Sequence, residues 1–152
     1  MIKKILITVV VLLIVGGALM IYGTYKVANE VLKEQEPMLR QYVQMTEEEQ
    51  NKYILEHADE IITKAAANAK PEEKADVELV EATKNDPAVK KALVDLGRAL
   101  LAVAIMHSEP IVNDINDDLK AKFQQEKDDL TNRLEKYGNA LETAKEKLKA
   151  AQ

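Results

Sequence analysis

The 152-residue chain has no cysteine, no tryptophan, one phenylalanine and five glycines. The lack of cysteine excludes disulfides, thiolate nucleophiles and zinc–thiolate sites, and it leaves the redox compartment open. Only Gly97 and Gly138 follow the first 26 residues, so there is no glycine-rich phosphate-binding loop, and nucleotide hydrolysis is disfavoured. Because aromatic residues are few and Ala, Leu, Glu, Lys and Gln are abundant, we expect an all-α fold.

Acidic residues are absent from the start of the chain and in excess after it. Three of the 21 basic residues precede Val27, whereas all 26 acidic residues follow it, so residues 27–152 carry 18 basic and 26 acidic residues, a formal net charge of −8. Nucleic-acid binding draws most of its affinity from Lys and Arg side chains that neutralise phosphates. We therefore expect no nucleic-acid partner.

The longest apolar run lies near the amino terminus. Between Ile5 and Tyr22, Thr8 is the only clearly polar residue, and a helix of this length rises roughly 27 Å against a hydrocarbon core of about 30 Å. The sequence therefore predicts one transmembrane signal anchor within residues 1–26, in contact with the lipid bilayer. Its membrane-facing and interfacial residues include Ile5, Leu12, Leu13, Ile14, Gly16, Leu19, Ile21, Tyr22 and Tyr25.

A cleaved signal peptide is the alternative interpretation of this run. Signal peptides have apolar regions of about 7 to 15 residues followed by a small-residue cleavage site. The best such site, Gly16 to Ala18, would leave the apolar residues 19–21 at a new terminus in water, so we favour retention. Lys3 and Lys4 precede the run, which favours a cytoplasmic amino terminus and a periplasmic or extracellular carboxyl-terminal domain.

Prolines at positions 37, 71, 87 and 110 divide the rest of the chain into helical segments, because proline breaks a helix interior but is tolerated in a first turn. Residues 27–45 are predicted to form a juxtamembrane helical linker that stops or kinks at Pro37. Residues 46–152 are predicted to form a small extracytoplasmic helical bundle. Its first helix follows the capping-box pattern of Thr46 and Glu49 and extends to about Ala69.

Two more helices are predicted before Pro110. A short one covers residues 71–83. Asp86 and Pro87 form a cap and first-turn pair that opens another helix, which extends to about His107. Its apolar run from Ala99 to Met106 rises roughly 12 Å, too little to cross a membrane, and this favours a central core helix.

The residues after Pro110 lack proline and predict a long amphipathic carboxyl-terminal helix. Its heptad segment, residues 130–148, is out of register with an earlier stripe from Val112 to Phe123, so the packing surface is expected to change midway. Gly138 is a candidate bend or end, because glycine costs about 1 kcal/mol relative to alanine. The helix either folds back on its own domain, which its short seam favours, or pairs with another chain. The seam residues are Leu130, Leu134, Tyr137, Leu141, Ala144 and Leu148.

Three features carry potential chemistry, and each has a simpler interpretation. His57 lies among carboxylates but lacks the spacing of a metal motif, which favours a solvated helix face. His107 beside Ser108 is expected to interact with carbonyl groups at a helix end, because neighbours in sequence rarely form a catalytic triad. Residues 114–118 begin like a calcium loop, but Leu119 replaces the required glycine, so a negatively charged helix start is favoured.

The sequence therefore predicts a structural or assembly subunit of a larger membrane or envelope complex, which acts by contacts with other protein subunits or with copies of itself. We expect no enzymatic activity, no cofactor and no metal. The alternative is a tethered binding domain that encloses an apolar ligand around Ala99 to Met106. A more remote alternative is a phage-type lysis subunit, which the chain resembles only in its layout of one membrane helix and an external coiled coil.

Overall fold

The computed structural model describes residues 36–68, 71 and 74–151, and these ranges contain helices, turns and caps but no strand. The all-α prediction is confirmed for this part of the chain. The helices, numbered in chain order, are α1 (36–44), α2 (Glu47–Asn68), α3 (Lys74–Thr83), α4 (Pro87–Met106), α5 (Glu109–Asp114), α6 (Asp117–Asp128) and α7 (Leu130–Ala150).

The predicted membrane anchor, with its residues from Ile5 to Tyr25, lies outside the described residues. Within the ranges given above, no helix combines the length and the apolar character that a membrane crossing requires.

Side-chain caps fix the starts of α2 and α4 where the sequence predicts them. Thr46 Oγ1 accepts from the Glu49 amide at 3.2 Å, and Glu49 Oε1 accepts from the Thr46 amide at 3.1 Å. Asp86 Oδ1 accepts from the amides of Ala88 and Val89 at 2.9 and 3.2 Å. Each bond satisfies an amide that a first helical turn leaves without a partner.

The prediction of one long helix after Pro110 is wrong, because this segment forms α5, α6 and α7. The chain leaves helical geometry at Ile115 and Asn116, and the Asn116 side chain accepts from the Leu119 amide at 2.8 Å. A second break falls at Asp129. The long amphipathic helix is therefore α7 alone, and it continues through Gly138 to Ala150, so that glycine does not end it.

Helix α4 is the centre of the bundle, as its apolar run predicts. Ala99, Ala102 and Ile105 are fully buried, and α4 packs against both α6 and α7. Its buried side contributes to two apolar clusters. The first contains Ala58, Ile62, Val80, Val89, Leu93, Leu96, Leu100, Tyr137, Leu141 and Ala144. The second contains Leu39, Tyr42, Ile54, Ala102, Ile105, Ile111 and Phe123.

Helix α1 belongs to the bundle core. Leu39 and Tyr42 are fully buried in the second cluster, although residues 27–45 are assigned to a linker by the sequence pattern. The helical residues also continue past Pro37 to residue 44. The core therefore includes residues on the amino-terminal side of the predicted boundary at Thr46.

Candidate functional site

A buried guanidinium group joins α4 to α2. Arg98 is 8% exposed, and its Nε and Nη2 donate to Asn51 Oδ1 at 3.0 and 2.6 Å. Its Nη1 donates to Gln50 Oε1 at 2.8 Å, and Nη2 also donates to the Glu47 carbonyl oxygen at 2.9 Å. Gln50 Nε2 in turn donates to the Tyr42 carbonyl oxygen at 2.9 Å. The network thus links α1, α2 and α4. Every group that accepts a hydrogen bond from Arg98 is uncharged.

A buried carboxyl group on α6 lies beside this network. Glu126 is 7% exposed, and its Oε2 lies 3.8 Å from Arg133 Nη1 and forms no hydrogen bond. Burial raises the pKa of Glu126, and the nearby charges of Lys122, Arg133 and Arg98 oppose that rise. The Tyr42 hydroxyl is also buried without a hydrogen bond, and burial raises its pKa far above the ordinary value.

His57 lies at the end of a row of three aromatic rings. Its ring stacks on that of Tyr53 with a centroid distance of 5.8 Å and an interplanar angle of 7°. The ring centroids of Tyr53 and Tyr42 are 6.2 Å apart. Among the neighbouring carboxylates, Asp59 pairs with Lys84 at 2.8 Å. His57 is therefore half-buried against an aromatic ring, whereas the sequence predicts a solvated helix face.

His107 ends α4, in agreement with its predicted role. Its Nδ1 lies 2.8 Å from the Val103 carbonyl oxygen, and its backbone amide donates to the same oxygen. Ser108, the next residue, is the N-cap residue of α5. The histidine therefore bonds the free carbonyl groups that every helix leaves at its end.

The calcium-like stretch divides between two helices. Asp114 ends α5 and accepts from Arg40 Nη1 at 2.7 Å, whereas Asn116 caps α6 and Asp118 lies in its first turn. These side chains stabilise the junction of α5 and α6, as the predicted helix start requires. Among the described residues, no group of three or more His, Cys, Asp or Glu side chains is placed to hold a metal ion.

The predicted seam packs mainly within the chain. Tyr137, Leu141 and Ala144 lie in the first apolar cluster, and Leu130 and Leu134 are half-buried against it. Leu148, near the end of α7, is 39% exposed. In the described ranges, the seam residues therefore pack within the bundle as far as Ala144.

An open cleft lies between α2, the turn that follows α3, and α4. It has a volume of about 410 Å³, and Leu55, Ile62 and Leu93 form its apolar part. On its rim, Lys84 Nζ donates to Asp59 at 2.8 Å and to Glu81 at 3.0 Å. The rim also includes Glu56, Asn85 and Lys90, so the residues that line this cleft carry two negative and two positive charges.

A second cleft, the α4–α7 groove, has a volume of about 480 Å³ and a floor of Ala88, Ala92 and Ala140. Its rim carries Lys91, Asp95, Asp129, Arg133 and Lys136. Arg133 Nε donates to Asp129 at 2.9 Å, and its Nη1 donates to the Asp95 carbonyl oxygen at 2.9 Å. Lys91 and Lys136 are exposed, and neither lies within ion-pair distance of a described carboxylate, although the charge of Lys136 helps to lower the pKa of Asp129.

Neither cleft is lined by residues 99–106. Ala102 and Ile105 instead pack with Leu39, Ile111 and Phe123 in the second apolar cluster. An apolar-ligand cavity around this run stays a prediction from the sequence.

Local sequence patterns do not predict that Arg98 and Glu126 are both buried. The position of Arg98 does indicate burial, because this charged residue directly precedes the apolar run of the predicted core helix. Glu126 occupies one of many charged positions in α6, and only the fold places it in the interior.

Comparisons with protein-family models, with curated proteins and with solved structures found no match to this chain.

Proposed function

We propose that the protein is a membrane-anchored structural or assembly subunit that presents its acidic helical bundle outside the cytoplasm and binds another protein subunit. The α4–α7 groove is the proposed contact surface. The observation that carries this proposal is that two exposed lysines, Lys91 and Lys136, lie above a floor of small side chains, and neither is within ion-pair distance of a carboxylate in the described part of the chain.

The membrane part of the proposal rests on the amino-terminal sequence. The run from Ile5 to Tyr22 has the length and composition of a single span. Lys3 and Lys4 favour retention of the amino terminus in the cytoplasm.

The chemistry of the groove points to an acidic helix as its occupant. Alanines on the floor allow the backbone of another helix to approach closely, and Lys91 and Lys136 can pair with carboxylates along its edges. Exposed ion pairs contribute only about 0.2 to 1 kcal/mol each, so they select and orient the partner more than they hold it. Stable binding also requires the flanking faces of α4 and α7, because a specific interface buries at least about 1,000 Å² in total.

Photo-crosslinking of the full chain in its native membrane tests this proposal. A photo-reactive lysine analogue at position 136 should join the chain to an acidic helical segment of another protein, identified by peptide mapping. The same analogue at Lys52, an exposed lysine on α2, is the matched control. A crosslink at position 136 that maps to a second copy of this chain, or equal yields at both positions, would contradict the assignment.

Charge reversal makes the test more specific. Lys91→Glu should lower the yield at position 136 roughly fivefold, because about 1 kcal/mol of pairing changes to repulsion. Lys90→Glu changes the adjacent exposed lysine, which lines the other cleft, and should leave the yield unchanged. Equal effects of the two substitutions would show that the groove does not recognise the partner.

A further inference from the structure

A buried carboxyl group lies where α6 meets the helices around it. We propose that Glu126 is a proton-dependent lock: when its carboxyl group takes up one proton from solvent, α6 packs more firmly against the bundle, and loss of that proton loosens it. This inference concerns regulation of the bundle and does not depend on the proposed function.

The geometry leaves the ionised carboxylate poorly compensated. Glu126 Oε2 is buried without a hydrogen bond, and the nearest cationic atom, Arg133 Nη1, lies 3.8 Å away. Arg133 makes its hydrogen bonds to other groups, because its Nε donates to Asp129 and its Nη1 donates to the Asp95 carbonyl oxygen. A buried charge without close pairing is costly, whereas the protonated form is neutral and provides a hydrogen-bond donor.

Charged or titratable groups face Glu126 from five helices. The cations favour its ionised form, Glu47 disfavours it, and burial has the largest effect, so the pKa of Glu126 lies above its ordinary value. Arg98 donates its hydrogen bonds to Gln50, Asn51 and the Glu47 carbonyl oxygen. The facing groups are Tyr42 on α1, Glu47 on α2, Arg98 on α4, Lys122 on α6 and Arg133 on α7.

The direction of the pH effect follows from this arrangement. The pKa of Glu126 in the folded protein is higher than the ordinary value of 4.5, so the folded state binds the proton more tightly than the unfolded state does. Its contribution to stability therefore rises as pH falls through the folded pKa, and the gain is complete below the unfolded pKa. The Tyr42 hydroxyl is also buried without a hydrogen bond, and the charge of Glu126 contributes to raising its pKa.

Amide hydrogen exchange on the full chain in detergent micelles tests the lock. After correction for intrinsic exchange rates, α6 of the wild type should exchange more slowly at a pH near 4.5, the ordinary pKa of this side chain, than at pH 7.5. Glu126→Gln should give the slow rate at both pH values. The control Glu135→Gln, at an exposed position on α7, should behave like the wild type. Faster exchange in Glu126→Gln than in the wild type at pH 7.5, or no difference between them, would overturn the proposal.

A titration of the unmodified protein keeps the test independent of variant folding. The carboxyl carbon resonance of Glu126, followed by NMR, should titrate at a pH above the ordinary value of 4.5. A midpoint at or below 4.5 would show that the buried group prefers its charged form, and the lock would then be excluded.

Discussion

Gly97 on α4 lies against Ile54 on α2 so closely that a Cβ atom at position 97 would fall 2.5 Å from Ile54 Cγ2. Both residues are buried. The Ile54 side chain is branched at Cβ and closely packed, so it has little freedom to move away. Glycine at this position therefore sets the distance between α2 and α4.

Gly97→Ala should lower the free energy of unfolding by up to about 2 kcal/mol, because an overpacking cost of about 1 to 3 kcal/mol outweighs the roughly 1 kcal/mol that alanine gains in helix propensity. Urea denaturation of the full chain in detergent, followed by circular dichroism, measures the change.

A double-mutant cycle identifies the cause of this loss. In an Ile54→Ala background the clashing atom is absent, so Gly97→Ala should cost much less or become stabilising. Strictly additive effects of the two substitutions would show that the clash with Ile54 is not responsible.

The Arg98 network should be essential for stability. Arg98→Met removes the donors to Gln50, Asn51 and the Glu47 carbonyl oxygen, and we expect a loss of about 2 to 4 kcal/mol, since buried acceptors are left without partners. Arg98→Lys keeps the charge without the planar fork and should lose an intermediate amount. Lys52→Met, at an exposed site on α2, should change stability by less than about 0.5 kcal/mol. Equal stability of the Met variant at position 98 and the wild type would contradict this role.

The cap at Asn116 should determine where α6 begins. Asn116→Ala removes the acceptor for the Leu119 amide and should cost about 1 kcal/mol, whereas Asn116→Asp keeps a capping oxygen and should change stability by only a few tenths of a kcal/mol. Hydrogen exchange at the Leu119 amide reports the local effect. If exchange there is unchanged in Asn116→Ala, the break between α5 and α6 has another cause.

Asp129 and Glu126 both face Arg133 but should respond to pH in opposite directions. The hydrogen bond from Arg133 to Asp129 lowers the pKa of that carboxyl group below its ordinary 3.8. Its contribution to stability is therefore present above this pH and is lost as pH falls through the folded pKa. Asp129→Asn should reduce stability at pH 7 and flatten the loss between pH 4 and pH 2, as thermal unfolding at several pH values will show. An unchanged acid profile would exclude Asp129 as a contributor.

The sequence predicted those features of the fold that depend on local chemistry. The caps at Thr46 and Asp86 locate the starts of α2 and α4, because a first turn needs acceptors for its free amides. The continuous apolar run of α4 requires burial on all sides, so its central position also follows from the pattern.

The remaining features depend on contacts between distant residues. Asn116 lies in the stretch that the sequence marks as a negatively charged helix start, but the apolar stripe from Val112 to Phe123 also fits one continuous helix, so the break before Asn116 depends on packing. The buried state of Glu126 depends on its position opposite Tyr42 and Arg133, which no local pattern encodes. The core position of α1 likewise depends on contacts of Leu39 and Tyr42 with the second apolar cluster.

We propose that the amino-terminal segment holds the bundle at a membrane, and the mature protein in its native cells can be used to test this proposal. Alkaline carbonate extraction followed by mass determination of the amino-terminal peptide measures retention and cleavage together. We expect the chain to stay in the membrane fraction with residues 1–26 intact. Recovery in the soluble fraction with a new amino terminus near Leu19 would show that the segment is cleaved and does not anchor the bundle.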